Sequence, residues 1–306
     1  MENLVILGSG VAGCSAAVYA ARADLSPLVI SGPEQGGQIS YTDLVENYPG
    51  FPEGIQGIKL VDNIRKQAEK FSARFKPGNA ERIEKKGELY EISIGDEKIE
   101  AKSVIIATGA SARKLGLESE TKYLGKGVST CATCDAYFFQ GKDVVVIGGG
   151  DGAAEEALFI TKFAKSVTLV HRRDKLRASK IMQDRIFKNE KIKVIWDSSI
   201  EEILGDGKKV TGVKLKNLKD NSITEKKIDG IFLAIGHIPN TAAFKGFLEF
   251  GKKDYLKIDD RMRTNMPGIF GAGDVADHLY RQAITAAAMG CRAAIEAERY
   301  LNEKSK

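Results

Sequence analysis

Apolar runs that end in glycine-rich turns dominate the hydrophobic pattern of this chain. Residues 4–13 read LVILGSGVAG, an apolar run followed by G-x-G-x-x-G and then by an alanine-rich helical pattern. Residues 144–153 read VVVIGGGDGA and repeat that layout with alanine in the last place. Each is followed by a second apolar run, SPLVIS at 26–31 and SVTLVHRR at 166–173. This order of strand, glycine turn, helix and strand predicts two βαβ units of the dinucleotide-binding type.

Two later stretches predict hairpins that lead into apolar strands. Residues 90–110, YEISIGDEKIEAKSVIIATGA, indicate a turn near Gly95-Asp96 and then a strand ending in Ala107-Thr108-Gly109. Residues 210–240, VTGVKLKNLKDNSITEKKIDGIFLAIGHIPN, repeat that form. Near the C-terminus, GIFGAGD at 268–274 predicts a short strand, and RQAITAAAMGCRAAIEAERYL at 281–301 predicts a long amphipathic helix. The fold class that follows is α/β with two Rossmann-like domains.

Length and charge narrow the class of protein. A chain of 306 residues is too long for one ordinary core, so two domains are expected. The net charge of +5 comes from 46 basic and 41 acidic residues mixed along the chain, which gives no case for nucleic acid. The apolar start has no basic segment before it and is broken by glycines, so neither a signal peptide nor a membrane span is expected. Four cysteines favour a reducing compartment, the cytoplasm.

The end of the second strand in each βαβ unit is where a dinucleotide fold reads the ribose. In the second unit this place holds His171, Arg172 and Arg173, with Arg177 one turn further on. Guanidinium groups donate paired hydrogen bonds to phosphate oxygens, so the cluster favours the 2′-phosphate of NADPH over NADH. A solvated basic turn is the alternative.

The first unit lacks the usual carboxylate, because its second strand ends in Ser31-Gly32-Pro33. The nucleotide there is indicated instead by the late Gly273-Asp274 pair, whose carboxylate could accept a hydrogen bond from a ribityl hydroxyl. Two nucleotide units and this pair are the layout of a flavoprotein that also binds a nicotinamide cofactor. The alternative is a pair of tight turns that bind nothing.

The stretch VSTCATCDAYFF at 128–139 holds two cysteines, Cys131 and Cys134, followed by Asp135. Such a pair can bind zinc, cycle as a disulfide or simply pack. Zinc is disfavoured because Cys14 and Cys291 are isolated, and each is expected to be a small buried residue. Ser129 or Thr130 is expected to cap a helix beginning near Cys131, whose positive end would favour the thiolate.

A redox dithiol is therefore the favoured interpretation of this pair. Asp135, if partly buried, would have a raised pKa and could pass a proton to a leaving thiolate. The alternative is an ordinary carboxylate at a helix terminus.

At this point the sequence resembles the bacterial-type, low-molecular-weight thioredoxin reductases. The resemblance rests on CATCD, the second glycine turn, HRRDKLRA, AIGHIPNT, GAGDVADHLYRQAITAAAMGCRAAIEAERYL and GGQISYTDLVENYPGFP at 36–52, and it runs nearly end to end. Relatives of the glutathione reductase type place their redox cysteines soon after the first nucleotide unit, where this chain has none.

The resemblance implies an FAD-binding domain made of residues 1–111 and 242–306, with an NADPH-binding domain, 112–241, inserted between them and carrying the dithiol. It implies a homodimer that transfers electrons from NADPH through FAD and the Cys131–Cys134 disulfide to thioredoxin. It also implies that Cys134 faces the flavin, that Cys131 attacks thioredoxin and that Asp135 donates a proton. Because nicotinamide and dithiol share one domain, a hinge near Ala112 and Thr241 is expected.

The expected site residues fall into three groups, and no metal site is among them. The catalytic residues are Cys131, Cys134 and Asp135. The residues expected to bind FAD are Gly8, Ser9, Gly10, Val11, Ala12, Gly13, Ser31, Gly32, Gly37, Gln38, Val45, Asn47, Ala107, Thr108, Gly109, Gly273, Asp274, Arg281, Gln282 and Ala283. Those expected to bind NADPH are Gly150, Asp151, Gly152, Ala153, His171, Arg172, Arg173, Arg177, Ile235, Gly236 and His237.

Three other functions fit parts of the sequence. One is a flavin reductase of the same build that serves a different dithiol protein, and another takes electrons from ferredoxin, which the basic cluster argues against. The third is a zinc-containing interaction module, which would bind metal and carry no flavin.

Overall fold

The structure is a computed structural model that describes residues 1–42 and 44–304. The chain divides into two compact units: the first joins Met1–Ser111 to Ile238–Lys306, and the second is Ala112–His237. The second division lies before the sequence-based boundary between 241 and 242. The reason is Asn240, which hydrogen-bonds Thr108 and Gly109 of the first unit through its side chain and its backbone. Which cofactor each unit binds stays a prediction.

The described residues form more β-strands than α-helices. The strands are β1 (Glu2–Leu7), β2 (Leu28–Ile30), β3 (Arg74–Lys76), β4 (Arg82–Lys86), β5 (Leu89–Ile94), β6 (Glu97–Ile106), β7 (Ala110–Ala112), β8 (Val128–Ser129), β9 (Asp143–Ile147), β10 (Ser166–Val170), β11 (Ile192–Ile195), β12 (Ser198–Gly205), β13 (Val210–Asn217), β14 (Ile223–Lys227), β15 (Gly230–Leu233), β16 (His237–Pro239) and β17 (Ile269–Gly271). The α-helices are α1 (Val11–Arg22), α2 (Gly57–Lys70), α3 (Glu118–Tyr123), α4 (Ala132–Asp135), α5 (Asp151–Ile160), α6 (Lys180–Lys188) and α7 (Ala283–Lys304). Short 3-10 turns span Gln38–Tyr41, Ala136–Phe139, Ala242–Phe244, Lys252–Asp254 and Gly273–Val275.

The first unit is built on a seven-stranded sheet in the order β3-β2-β1-β6-β5-β4, with β17 also paired to β6. Strands β1, β2, β3, β6 and β17 run parallel. Strand β5 pairs antiparallel with β4 on one side and with β6 on the other, and β5 and β6 form the predicted hairpin with its turn at Gly95-Asp96. Strand β1 is buried at four successive residues, Leu4 to Leu7, as parallel strands covered on both faces are. The glycine turn after β1 therefore lies at the carboxyl edge of a parallel sheet, where nucleotides bind in such folds.

Helices α1 and α7 pack closely against each other beside this sheet. Ala12, Ala16 and Ala293 are buried in their shared core. A Cβ added at Gly290 would lie 2.1 Å from the carbonyl oxygen of Ala12, so only glycine allows this approach. The predicted C-terminal helix is confirmed, but it begins at Ala283 and not at 281. Arg281 is held outside it, because its backbone N–H donates to Asp277 and its φ is +49°.

The second unit contains two sheets. The five-stranded sheet β11-β10-β9-β15-β8 is parallel throughout, and the three-stranded sheet β12-β13-β14 is antiparallel. The predicted hairpin from 210 and the apolar strand after it are confirmed as β13, β14 and β15. The glycine turn at 148–150 follows β9, between the carboxyl ends of β10 and β15. It thus occupies in this unit the place that the first glycine turn occupies in the other.

The two segments that join the units pair with each other as the two-stranded sheet β16-β7. On one side the backbone N–H of Asn240 donates to the carbonyl oxygen of Gly109, and on the other that of Arg113 donates to the carbonyl oxygen of Gly236. Among the described helices none is both long and apolar enough to cross a membrane.

Candidate active site and nucleotide sites

Cys131 and Cys134 are joined by a disulfide at the start of the short helix α4. Strand β8 delivers the chain to this point and β9 begins soon after it, so a buried parallel sheet anchors both sides of the pair. Within the described residues no group of three or more histidine, cysteine or acidic side chains is arranged to hold a metal ion.

The predicted cap of this helix is wrong. Neither Ser129 nor Thr130 caps it; the N-cap is Cys131, whose Sγ accepts a hydrogen bond from the backbone N–H of Cys134 at 3.2 Å. Cys131 has the extended backbone that a cap needs, with φ −141° and ψ 102°. Because α4 has only four residues, its dipole is weak, and the direct N–H contact to Sγ is the better source of thiolate stabilisation.

Asp135 closes the helix with a half-buried carboxyl group. Burial raises the pKa of this carboxyl, and a hydrogen bond from the Ser129 hydroxyl lowers it in part, with a net rise. A raised pKa makes a carboxyl keep its proton more readily than a free one does, which favours proton donation. Asp135 thus lies beside the disulfide with a carboxyl pKa shifted in that direction.

The aromatic residues after Asp135 divide into exposed and buried. Tyr137 is 56% exposed and Phe138 is also on the surface, whereas Phe139 is buried edge-on against Phe232, with ring centroids 5.1 Å apart. Tyr137 in turn packs edge-on against Phe163 at 5.9 Å. The sequence analysis did not assign these residues, although the run YFF beside the cysteines was a visible signal. They place an apolar surface next to the disulfide.

The other two cysteines have different environments. Cys14 is fully buried, and burial raises the pKa of its thiol to about 12, so it is inert as expected. Cys291 is only half-buried, contrary to expectation. Interaction with this thiol raises the pKa of Tyr19, an exposed residue of α1. The pattern of apolar residues in α7 does not show which side of α7 is left uncovered by α1. The partial exposure of Cys291 could therefore not be predicted from the sequence.

The first glycine turn is held by close backbone packing. Gly8 has φ +113°, and a Cβ there would lie 2.2 Å from the carbonyl oxygen of Ala107; one at Gly13 would lie 1.9 Å from that of Gly8. Gly10, the N-cap of α1, has no side-chain cap, so the first N–H groups of the helix keep free hydrogen-bonding capacity. The turn thus fits a pyrophosphate at the helix N-terminus.

Several other residues expected to bind FAD gather around this turn. Ser9 donates to the carbonyl oxygen of Ser31 at 2.9 Å and accepts from the backbone of Gly36, and a Cβ at Gly37 would lie 3.2 Å from Cα of Gly10. Gln38 begins a 3-10 turn and Val45 pairs with Ile55, whereas Asp43 of the 36–52 segment lies outside the described residues. The structure thus brings the early loop against the glycine turn.

The late residues of the expected FAD group approach the same helix. A Cβ at Gly273, which has φ +78°, would lie 2.8 Å from Cβ of Ala12. Burial raises the pKa of the neighbouring Asp274 to about 6, with the charge of Asp277 adding to the rise. Asn47 donates to the side chain of Gln282 at 3.5 Å, which ties the early loop to the start of α7. Thr108 and Gly109 lie elsewhere on this edge, held to Asn240.

The second glycine turn leaves open space above its helix. Gly150 is the N-cap of α5 without a side-chain cap, and a Cβ added at Gly150 or Gly152 would meet nothing within 4 Å. Ala153 is buried beside Gly148. The carboxylate of Asp151 accepts from the backbone N–H of Ser179 at 2.7 Å, so this side chain orders the following loop.

The basic cluster lies beside this turn. His171 is 4% exposed, its ring would be 2.3 Å from a Cβ at Gly149, and its Nε2 has no hydrogen-bond partner within the described chain. Burial lowers the pKa of His171. The backbone N–H of Arg177 donates to the carbonyl oxygen of Gly149 at 2.6 Å, while Arg172 and Arg173 keep exposed side chains. An unpartnered buried nitrogen and exposed guanidinium groups fit a phosphorylated nucleotide.

Two more features lie near the second glycine turn, the segment after β15 and Trp196. Ile235, Gly236 and His237 follow β15, and the N–H of Ala234 donates to the carbonyl oxygen of Ile147 just before the glycine turn, so this segment lies at the same sheet edge. Trp196 stands edge-on to His171 with ring centroids 6.4 Å apart. Sequence reasoning missed Trp196, because nothing in the pattern shows that the end of β11 lies beside the end of β10.

The chain is similar to known oxidoreductases along nearly its whole length. A family model described as pyridine nucleotide-disulphide oxidoreductase matches residues 2–290. The thioredoxin reductase of Streptomyces coelicolor is 51% identical over 304 residues, which cover 98% of this chain and 94% of that protein. That of Coxiella burnetii is 49% identical over 309 residues, covering 98% and 97%. The crystal structure of thioredoxin reductase from Streptococcus pyogenes, 43% identical, matches with a TM-score of 0.95 and covers 99% of both chains.

Proposed function

The chain belongs to the pyridine nucleotide-disulphide oxidoreductase family, and on that premise we propose that it uses NADPH and FAD to reduce oxidised thioredoxin. The observation that carries the proposal is the Cys131–Cys134 disulfide, held in the same unit as a glycine turn with a basic cluster beside it. Similarity to thioredoxin reductases over nearly the whole chain supports the choice of substrate. The enzyme thereby maintains the thiol redox balance of the cell.

The residues present fit both cofactors. In the first unit, Gly10, Gly37 and Asp274 would hold FAD: two glycine backbones for the pyrophosphate and one carboxyl for a ribityl hydroxyl. In the second unit, Gly150, Gly152 and the basic cluster would hold NADPH. When bound, FAD supplies two-electron exchange between the nicotinamide and the disulfide. We propose that the remaining residues of the expected FAD and NADPH groups make further contacts with these cofactors.

The chain's own residues perform the disulfide chemistry. Cys131 attacks the substrate disulfide as a thiolate, which the N–H of Cys134 stabilises through its contact with Sγ at 3.2 Å. Asp135 gives its proton to the leaving sulfur of the substrate. Cys134 then attacks Cys131 in the mixed disulfide and releases the second substrate sulfur, so that the Cys131–Cys134 disulfide forms again.

The partner and the assembly follow from the same premise. Thioredoxin is the dithiol protein reduced, and the exposed aromatic residues Tyr137 and Phe138 offer it an apolar contact beside the disulfide. The enzyme works as a homodimer in the cytoplasm, where NADPH is available as reductant. Neither a nucleic acid nor a membrane takes part.

The two units divide the work. The first binds FAD, whereas the second carries both the nicotinamide site and the dithiol, which must use one flavin in turn. The second unit therefore rotates about a hinge at the paired segments β7 and β16, near Ala112 and Thr241. Only these two segments connect the units along the chain, which is what a hinge requires.

An absorption experiment tests this function. Purified protein should show the yellow flavin spectrum, NADPH should bleach it under anaerobic conditions, and oxidised thioredoxin should restore it within one turnover. Bleaching that only another small disulfide protein reverses would move the assignment to a different dithiol partner. Colourless protein that retains metal would contradict the proposal.

A further inference from the structure

Asn240 lies on the second of the two segments that join the units, directly after β16. Its side-chain Nδ2 donates to the carbonyl oxygen of Thr108 at 2.9 Å, and its Oδ1 accepts from the hydroxyl of Ser111 at 3.1 Å. Its backbone N–H donates to the carbonyl oxygen of Gly109 at 3.0 Å, and its own carbonyl oxygen accepts from the Thr108 hydroxyl at 2.8 Å. Asn240 therefore holds residues 108–111, which come just after β6.

Both ends of the Asn240 amide group are used, and this fixes its orientation. The nitrogen faces a carbonyl oxygen and the oxygen faces a hydroxyl, so each amide atom meets a partner of the opposite kind. An aspartate has the same shape, but it would place an oxygen without a proton against the carbonyl oxygen of Thr108. Asparagine is thus favoured here by its hydrogen-bonding chemistry as well as by its size.

Thr108 also packs against the first glycine turn. A Cβ added at Gly8, which has φ +113°, would lie 3.2 Å from Cα of Thr108 and 2.2 Å from the carbonyl oxygen of Ala107. The backbone N–H of Ala107 donates to the carbonyl oxygen of Leu7 at 2.8 Å, so the end of β6 runs beside the end of β1 up to this contact. Thr108 therefore contacts both the glycine turn and Asn240.

The chain turns at Gly109 and leaves space there. Gly109 has φ +69°, a left-handed conformation that favours glycine, and a Cβ added to it would meet no described atom within 4 Å. The turn lies at the carboxyl edge of the parallel strands β1 and β6, where nucleotides bind in such folds. The edge that would hold FAD therefore has room beside Gly109.

Asn240 is attached to a well-packed part of the first unit. Thr241, the next residue, is 2% exposed, and its hydroxyl donates to the carbonyl oxygen of Asp254 at 3.2 Å. Phe244, in the 3-10 turn that follows, is fully buried. The side chain of Asn240 thus reaches Thr108 from a backbone that the first unit itself holds in place.

We propose that Asn240 is a positioning residue for FAD, holding the Thr108-Gly109 backbone against the first glycine turn in the conformation that the bound cofactor needs. The inference rests on the proposed function, in which this edge of the first unit binds FAD. Without the Asn240 side chain, the Thr108 carbonyl oxygen and the Ser111 hydroxyl lose a partner. Binding of FAD then has to order this turn as well, which weakens it.

Release of FAD from diluted holoenzyme tests the proposal without NADPH, thioredoxin or turnover. The hydrogen bonds of the Asn240 backbone remain in Asn240→Ala, so this variant loses only the side-chain contacts. Its dissociation constant for FAD, measured by the fluorescence of the released flavin, should rise roughly 5- to 30-fold. The matched control Asn302→Ala removes an exposed asparagine of α7 and should bind FAD as wild type does. Equal constants in wild type and Asn240→Ala would overturn the proposal.

Two further variants separate positioning from general stabilisation. Asn240→Asp keeps the size of the side chain but turns an oxygen to the Thr108 carbonyl, so it should bind FAD no better than Asn240→Ala; binding as tight as that of wild type would contradict the proposal. Ser111→Ala removes the contact to Oδ1 alone and should raise the constant roughly 2- to 5-fold. In an Asn240→Ala background it should raise nothing further, and an equal factor in both backgrounds would show that the two residues act independently, against the proposal.

Affinity for NADP⁺ serves as a control on the other unit of the same holoenzyme. Calorimetric titration of Asn240→Ala with NADP⁺ should give the wild-type constant, and a parallel loss of both cofactors would point to general destabilisation and overturn the positioning role. Should the alanine variant not fold, Ser111→Ala must still raise the constant for FAD. Wild type that binds FAD but does not reduce thioredoxin would overturn the proposed function and leave this result standing, whereas wild type that binds no FAD would overturn both.

Discussion

At the scale of the residue, the buried carboxyl of Asp274 destabilises the folded protein to an extent that depends on pH. Burial raises its pKa from 3.8 to about 6 in the folded protein, so the folded chain binds this proton more tightly than the unfolded chain. Stability contributed by the protonated group is present at pH 4 and is lost as pH rises through about 6. A neutral residue here would be better for folding above this pH, so the proposed role of Asp274 in binding FAD comes at a cost in stability.

Asp274→Asn should therefore stabilise the flavin-free protein at pH 8 by up to roughly 2–3 kcal/mol. At pH 4 the gain should vanish, because wild type is then neutral as well. Urea unfolding of flavin-stripped wild type and variant at both pH values measures this, and the holoenzyme variant should also lose flavin more readily. A variant that is less stable than wild type at pH 8 would show that Asp274 is charged and well paired when folded.

The basic cluster gives a second residue-scale prediction. Arg172 and Arg173 are exposed and follow β10, the strand next to the second glycine turn, and we propose that they bind the ribose phosphate. Replacing both by alanine should raise the Michaelis constant for NADPH roughly 10- to 100-fold and change that for NADH little, because only NADPH carries the 2′-phosphate. Steady-state kinetics with the two cofactors measures the ratio, with Arg185→Ala on α6 as a control. Equal effects on both cofactors would show that these arginines do not read the phosphate.

At the scale of the element, the two glycine turns are similar in sequence but differ in how closely the helix approaches the strand before it. In the first, a Cβ at Gly13 would collide with the carbonyl oxygen of Gly8 at 1.9 Å; in the second, the same place is taken by Ala153. In the first unit, therefore, helix and strand approach each other more closely at the turn. Alanine in the last place is tolerated only where this approach is looser.

Gly13→Ala should accordingly destabilise the first unit by at least about 2 kcal/mol and reduce bound flavin, because backbone must move to admit the methyl group. The matched change at an open turn, Gly152→Ala, should leave flavin content and thermal stability near wild type while weakening NADPH binding. Flavin absorbance per chain and thermal unfolding distinguish them. A Gly13→Ala protein with full flavin and unchanged melting would contradict the packing at this turn.

Most elements could be predicted from the sequence, whereas contacts between distant elements could not. The βαβ units, both hairpins and the last helix follow from local patterns of apolar residues and glycine, and these were predicted. The cap of α4 was not, because the choice between Ser129 and Cys131 depends on where β8 pairs with β15, a contact between residues far apart in sequence. The half-exposed Cys291 and the position of Trp196 beside His171 were missed for the same reason.

At the scale of the whole molecule, the order of elements places the redox pair and the second glycine turn, where we propose that NADPH binds, in the inserted unit. The proposed hinge at β7 and β16 makes a prediction about catalysis in two halves. Protein trapped by a short cross-link between the units should lose turnover yet retain one half-reaction, either flavin reduction by NADPH or flavin oxidation by the disulfide. Stopped-flow spectra of the two half-reactions measure this, with a cross-link inside one unit as control. Full turnover in the locked protein would rule the hinge out.

The central claim is that electrons from NADPH reach Cys131 and Cys134. Anaerobic holoenzyme is mixed with NADPH, quenched with iodoacetamide and analysed by peptide mass spectrometry. We expect both cysteines to be alkylated after NADPH, neither to be alkylated before it, and both to be protected again once oxidised thioredoxin is added. Cysteines that dithiothreitol reduces but NADPH never does would contradict the account.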